Sequence, residues 1–369
     1  MNLSDLIRAK LQQGEIPFVE FMQQVLYDLE FGYYSAGLEK FGSKGDFITA
    51  PELTPLFGQT LANQCQQVLQ NLEQPKLFEF GAGSGRLCVD LLTALETLSS
   101  LPVNYFILEL SSNLRQRQQT LFEQEIPHLL DRIQWLDRWP TEPFNGVVIA
   151  NEVLDAMPVH RFLQTEQGLE ESFVSLDAKG NLVEIFKPAT NPRLINQVKQ
   201  CLDSDLSPYL SEVNLFIDDW IKQCFTMLSA GVMFIIDYGF PRHEYYHPDR
   251  NTGTLMCHYR HRAHTDPFIN LGEQDITAHV DFTHVAEAAH AAGFHVAGFC
   301  NQASFLLSNG LLSLLEKPEE ERLRLEKLQA VKQLIQPTEM GELFKVLALT
   351  KNSELTLNGF QLQDKRANL

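Results

Sequence analysis

Short apolar strands alternating with amphipathic helices predict an α/β chain on a doubly wound, Rossmann-like parallel sheet. Three observations carry this reading. The strands are near-continuously apolar, as parallel strands covered on both faces are. One strand runs through a glycine loop, GAGSGR at 81–86, straight into a helix. The chain has 369 residues, 44% of them apolar. That length suits two domains, or one large domain with an elaboration, at roughly 100–200 residues per domain.

The elements follow in order. Residues 3–13 and 17–30 read as helices, with Pro17 in a first turn. A glycine-, aromatic- and proline-rich stretch, 31–58, is long for a loop, and a helix follows at about 55–72. Long irregular segments in compact proteins are usually functional. KLFEF (76–80) is the first core strand and 84–98 its helix. VNYFILEL (103–110), the helix 114–126, IQWL (133–136) and GVVIANEV (146–153) continue the pattern. Residues 225–239 read as a helix end, a turn at Gly231 and a fifth strand. Two regions interrupt the alternation: 160–220, with a hairpin at 171–186 turning around Lys179-Gly180-Asn181, and 240–285, rich in His, Tyr, Arg and Pro. The pattern resumes with a helix at 281–294, a strand at 295–302, a charged helix at 319–335 and a strand at 343–351. The last eighteen residues read as frayed. The expected division is therefore an N-terminal cap, 1–75, a core in two parts, 76–159 and 225–351, an insertion, 160–224, and a tail, 352–369.

Charge and cysteine usage narrow the function. With 29 Lys+Arg against 47 Asp+Glu, the net charge of −18 argues against nucleic acid and against anionic membrane surfaces. It suits steering of a basic peptide. The six cysteines form no C-x-x-C pair, so buried free thiols in a reducing compartment are expected. No apolar run reaches the roughly 18 residues of a membrane helix, and the N-terminus lacks signal or transit character. A cytoplasmic, bacterial protein is expected, with a homodimer left open.

The glycine loop is the best single chemical signal. Glycines admit close backbone approach, and the helix start offers free N–H groups. A dinucleotide fingerprint would place a third glycine at position 86, where this chain has Arg86. A nicotinamide or flavin site, or a mere tight turn, stays open on the loop alone. Glu109 closes the second strand, where a carboxylate accepts both ribose hydroxyls. NEVLDAMPVHRF (151–162) leaves the fourth strand with Asn151, Glu152 and Asp155 close together. Ligands of doubly wound sheets sit beyond such strand ends. A cap or turn for Asp155, and a solvated carboxylate for Glu152, are the structural alternatives.

Nine of the eleven histidines fall in 243–295. His258, His261 and His264 recur every three residues, but Arg260 and Arg262 between them oppose a cation, so no metal is expected. A polar lid or substrate loop fits better. His279 and Asp281 lie two apart, with Asp281 also suited to capping a helix.

The loop and Glu109 together resemble the seven-stranded S-adenosylmethionine-dependent methyltransferases. GDFITAPELTPLFG (45–58), NEVLDAMPVHRF, DYG (237–239), GTLMCHYRHRAHTDPF (253–268), DITAHVDF (275–282) and MGELFKVL (340–347) narrow that resemblance. Over about 17–350 the chain resembles the mitochondrial-dysfunction-protein-A family, which contains a complex I assembly factor that methylates protein arginine. The resemblance implies a methyltransferase core with a helical and loop layer over the active site. It implies that Gly81, Gly83 and Gly85 shape the loop for S-adenosylmethionine, Glu79 lies near the methionine amino group and Glu109 holds the ribose. Ala82, Leu110, Asp137 and Asn151 complete the expected cofactor wall, with Thr49, Pro51 and Glu52 as its roof. Glu152 and Asp155 are the expected clamp for an arginine fork, and His279, paired with Asp281, the expected proton acceptor. A small-molecule methyltransferase would share every cofactor residue. A non-catalytic cofactor-binding assembly factor would not need the clamp, and an oxidoreductase would want a glycine at 86.

Overall fold

The computed structural model describes residues 2–35, 49–203, 205–316 and 321–369. Its central sheet carries seven long strands: β1 Lys76–Phe80, β2 Tyr105–Leu108, β3 Ile133–Leu136, β4 Phe144–Asn151, β5 Leu228–Phe240, β6 His295–Asn301 and β7 Phe344–Lys351. Their order is β3-β2-β1-β4-β5-β7-β6. The strands from β3 through β5 are parallel, and β7 runs antiparallel to both its neighbours. The all-parallel expectation is corrected at this edge: the sheet is mixed. A short strand, Val280–Asp281, adds to the end of β5.

Alternate residues of each strand enter opposite cores. Leu77, Ile107, Val147, Ile149, Phe234 and Val346 pack under one face with the helices Pro55–Leu69 (α1) and Arg86–Thr97 (α2). Phe78, Phe106, Val148, Met233, Ile235 and Leu347 pack under the other. Helices Ile217–Met227 and Phe282–Ala292 cover that second face. Burial on both faces is why these strands read as apolar runs rather than alternations.

Gly231 does not turn the chain. It lies inside β5, opposite Gly146 of β4, which lies opposite Lys76 of β1. A Cβ at Gly231 would stand 1.8 Å from the Gly146 carbonyl oxygen, so the glycine serves close strand approach beside a bulge.

The N-terminal helices Leu3–Leu11 and Phe18–Tyr27 lie over an antiparallel sheet built from 160–188 and 209–213, as the hairpin reading expected. Residues Ile16–Pro17 pair with Phe173 and Val174 of that sheet, so the N-terminal segment and the insertion share one layer. Pro17 caps its helix rather than sitting in the first turn. The His-rich run forms a small sheet of Met256–Tyr259, Arg262–His264 and Asp275–Thr277. Its hairpin turns at Arg260 and His261, both with positive φ. The tail is not frayed: Leu357 and Phe360 are buried, and Phe360 lies over Gly298 of β6. All six cysteines are buried free thiols. Among the described residues no helix is long and apolar enough to cross a membrane.

Candidate active site

A cavity of about 320 Å³ opens where β1, β2 and β4 end. It is the strand-end crevice at which doubly wound sheets bind ligands. The glycine loop forms its floor. Gly81, Gly83 and Gly85 have φ of 57°, 53° and 89°, a left-handed backbone that favours glycine. A Cβ on Gly85 would lie 2.7 Å from the Phe122 ring, whereas one on Gly81 would meet nothing within 4 Å. The first position keeps open space, and the third lets the helix behind pack closely. Ala82 lines the floor between them.

Two carboxylates flank the loop. Glu79 takes a place in β1 where its neighbours are apolar, and its Oε2 accepts the Tyr105 hydroxyl at 2.7 Å. Burial pushes its pKa up to about 7, against the Tyr105 hydrogen bond and with help from Glu109. Glu109 ends β2. Its Oε1 accepts the Ser111 amide at 2.9 Å and its Oε2 the Gln118 amide at 3.3 Å. Gln118 also donates to the Gly83 carbonyl and accepts from the Trp135 indole, so one side chain ties the glycine loop to Glu109. Burial raises the Glu109 pKa. Each carboxylate keeps lone-pair sites for ligand donors. Leu110 projects beside Glu109, 76% exposed, and still lines the cavity. Asp137 is exposed beyond β3 and does not line it.

Thr49, Pro51 and Glu52 form part of the opposite wall. The Ser84 hydroxyl donates to Glu52 and fastens this wall to the glycine loop. Residues 45–48 of the GDFITAPE run lie outside the described residues.

The far end of the cavity is acidic. Asn151 leaves β4 and donates to Glu152 at 3.2 Å. Glu152 has φ of 52°, a strained backbone for a side-chain-bearing residue. Burial pushes its pKa up to about 8; the nearby Asp155 charge adds to this, and the Asn151 side chain and Ala50 amide oppose it. Asp155 is raised to about 6 by burial, against a hydrogen bond from Tyr238. Among the described residues its Oδ1 is buried without a hydrogen-bond partner. Behind both lies Asp237, fully buried, whose Oδ2 accepts the amides of Val153, Leu154 and Asp155 at 3.2, 2.9 and 3.3 Å. Burial, Asp155 and Glu152 raise its pKa. Among the described residues, no cation forms an ion pair with Glu152, Asp155 or Asp237.

The expected pairing of His279 with Asp281 is not formed. Asp281 caps the helix Phe282–Ala292, accepting the Thr283 and His284 amides at 3.0 and 3.2 Å, and pairs with Arg242. His279 packs edge-on against Tyr238 and Phe240 beside a separate small cavity. Burial lowers its pKa to about 4. Neither residue lines the strand-end cavity, nor do the histidines of the hairpin. Sequence reasoning missed Tyr27, Tyr34 and Ser84 in the wall and Asp237 behind it. The DYG motif and the aromatic run FGYY were the signals available.

A glycine loop at the end of the first core strand and an acidic residue closing its neighbour, within this sheet order, define a Rossmann-like enzyme for a nucleoside-bearing cofactor. Residues 60–300 match the family described as "Putative S-adenosyl-L-methionine-dependent methyltransferase", and the chain belongs to that family. Its cofactor is S-adenosylmethionine. A Burkholderia thailandensis protein, a COG1565 superfamily member crystallised with S-adenosyl-homocysteine, superposes with a TM-score of 0.94 and 42% identity. The match covers 100% of this chain and 96% of that one. The chain is also 28% identical to the mitochondrial protein arginine methyltransferase NDUFAF7 of Mus musculus, over 93% of this chain and 82% of the relative. The Homo sapiens protein is likewise 28% identical, over 94% and 83%.

Proposed function

We propose that the protein transfers a methyl group to the guanidinium of a protein arginine. The carrying observation is the acidic end of the cavity, where, among the described residues, Asp155 Oδ1 is buried without a partner and Glu152 stands beside it with no cation paired to either. Like charges held together are costly unless a cation joins them. A guanidinium supplies that cation and a planar fork matched to two carboxylates. The curated relatives named as protein arginine methyltransferases support the same substrate class.

In this reading Gly81, Ala82, Gly83 and Gly85 cradle the cofactor, Glu79 faces its amino group and Glu109 its ribose. Asn151 and Leu110 complete the wall, and Thr49, Pro51 and Glu52 close the roof. The cofactor supplies an electrophilic methyl on a sulfonium. Glu152 and Asp155 hold the arginine fork, localise its charge on one nitrogen and leave the other directed at the methyl. Since His279 does not line the cavity, Glu152 takes the proton lost from the attacking nitrogen. Asp155→Asn tests the reading. It is expected to lower methyl transfer to arginine at least a hundredfold while S-adenosylhomocysteine still binds. Undiminished transfer would overturn it.

A further inference from the structure

Carboxylates attract a lysine ammonium as well as a guanidinium, although only the guanidinium offers them a matching fork. The wall beside them offers a further discriminator. Tyr27 ends the helix Phe18–Tyr27, and its hydroxyl donates to the Ala156 carbonyl at 2.9 Å, one residue beyond Asp155. That bond anchors the ring at the acidic end, yet Tyr27 remains 37% exposed and lines the cavity. Tyr34 stacks on it, centroids 5.3 Å apart at 23°. The Tyr34 hydroxyl in turn donates to Asp275 at 3.0 Å. Each ring is thus held by its polar tip and by the other ring. The neighbouring Tyr33 is fully buried and does not line the cavity, as an ordinary core tyrosine would be placed.

We infer that Tyr27, braced by Tyr34, is the specificity wall of the substrate slot, selecting the flat guanidinium of arginine over the ammonium of lysine. The inference rests on the arginine reading above. A guanidinium lying against an aromatic face gains electrostatic attraction and stacking contact together, while it keeps its in-plane N–H groups for the carboxylates. A hydrated ammonium gains less from the same face.

The test uses the full chain saturated with S-adenosylhomocysteine, and two short peptides, acetyl-Gly-Arg-Gly-amide and acetyl-Gly-Lys-Gly-amide, titrated by calorimetry. In the wild type the arginine peptide is expected to bind at least tenfold tighter. Tyr27→Leu is expected to weaken the arginine peptide about tenfold, in line with about 1–2 kcal/mol for a cation over an aromatic face, and to leave the lysine peptide within twofold. Tyr27→Phe keeps the ring and should keep the discrimination. Unchanged arginine affinity in Tyr27→Leu, or equal loss of both peptides, would overturn the inference and leave the carboxylate clamp standing. Failure of the wild type to bind the arginine peptide would instead overturn the clamp. Should Tyr27→Leu not fold, judged by lost S-adenosylhomocysteine binding, 3,5-difluorophenylalanine at position 27 keeps the shape and weakens the ring's field. It should then weaken arginine binding relative to Tyr27→Phe, and equal affinity for the two would overturn the inference.

Discussion

Replacing Glu152 by Gln should make the protein more stable and inactive at once. The carboxyl sits half-buried beside Asp155, and its pKa stands at about 8 against an ordinary 4.5. A carboxyl raised in the folded state stabilises fully only below its unfolded pKa. That contribution is lost as pH rises from about 4.5 to 8. At pH 7 a full shift of this kind corresponds to about 3 kcal/mol. Residual solvent contact and the coupling to Asp155 reduce it, so about 1–2 kcal/mol is expected. Gln keeps the shape and the Asn151 contact without the charge. For a chain of this length that is a rise in Tm of about 1–3 °C. The same change removes one arm of the guanidinium clamp, a charge-assisted hydrogen bond of about 1.5–3 kcal/mol, so arginine binding should fall roughly 10- to 100-fold and transfer further. The assay pairs thermal melts at pH 5 and 7 with transfer of a labelled methyl and titration of S-adenosylhomocysteine. The stabilisation should be present at pH 7 and small at pH 5. A variant that loses cofactor binding together with transfer, or that is destabilised at pH 7, would refute the clamp.

Further outcomes follow from the same geometry. Arginine-peptide binding should strengthen by up to tenfold per pH unit from about 6 to 8 and then level off, because binding a cation expels a proton from the Glu152–Asp155 pair; a flat profile measured by calorimetry would contradict the assignment. Gly85→Ala should cost about 1–3 kcal/mol in urea unfolding and weaken S-adenosylhomocysteine binding, since its Cβ would press on Phe122 from a left-handed backbone. Asp237→Ala should leave three amides, two of them buried, without their acceptor, lowering stability by about 2–4 kcal/mol and slowing transfer. His279→Gln should keep the transfer rate within about threefold and leave its pH profile unmoved; a hundredfold loss would restore the histidine as proton acceptor.

The strand-end wall of the cavity was legible because strand ends are where a doubly wound sheet presents ligand groups. Glu79, Glu109, Asn151 and Glu152 could be placed by counting along apolar runs. The expected His279–Asp281 pairing does not form because spacing says nothing of competing partners. Asp281 is taken by the helix it caps, and His279 turns into an aromatic pocket. Asp137 sits at a strand end too, but its side chain stays in solvent. Tyr27 lies on the polar face of its helix, with Glu20, Gln23 and Gln24, and reads as a surface residue until its hydroxyl is seen on Ala156. Asp237 is hidden inside the run FIIDYG, where a buried acid gives no periodic signal. The tail lacks strong periodicity, yet Leu357 and Phe360 are buried, Phe360 over Gly298, and backbone and side-chain hydrogen bonds tie the segment down.

The central claim is that the acidic end of this cavity takes an arginine side chain and methylates it. The most direct measurement incubates the protein with isotope-labelled S-adenosylmethionine and the total protein of a strain lacking the gene, then hydrolyses the product to amino acids. Label in methylarginine with the wild type, and none with Glu152→Gln, is the predicted result. Label in methyllysine, in a non-protein fraction, or in methylarginine equally with both forms would contradict it.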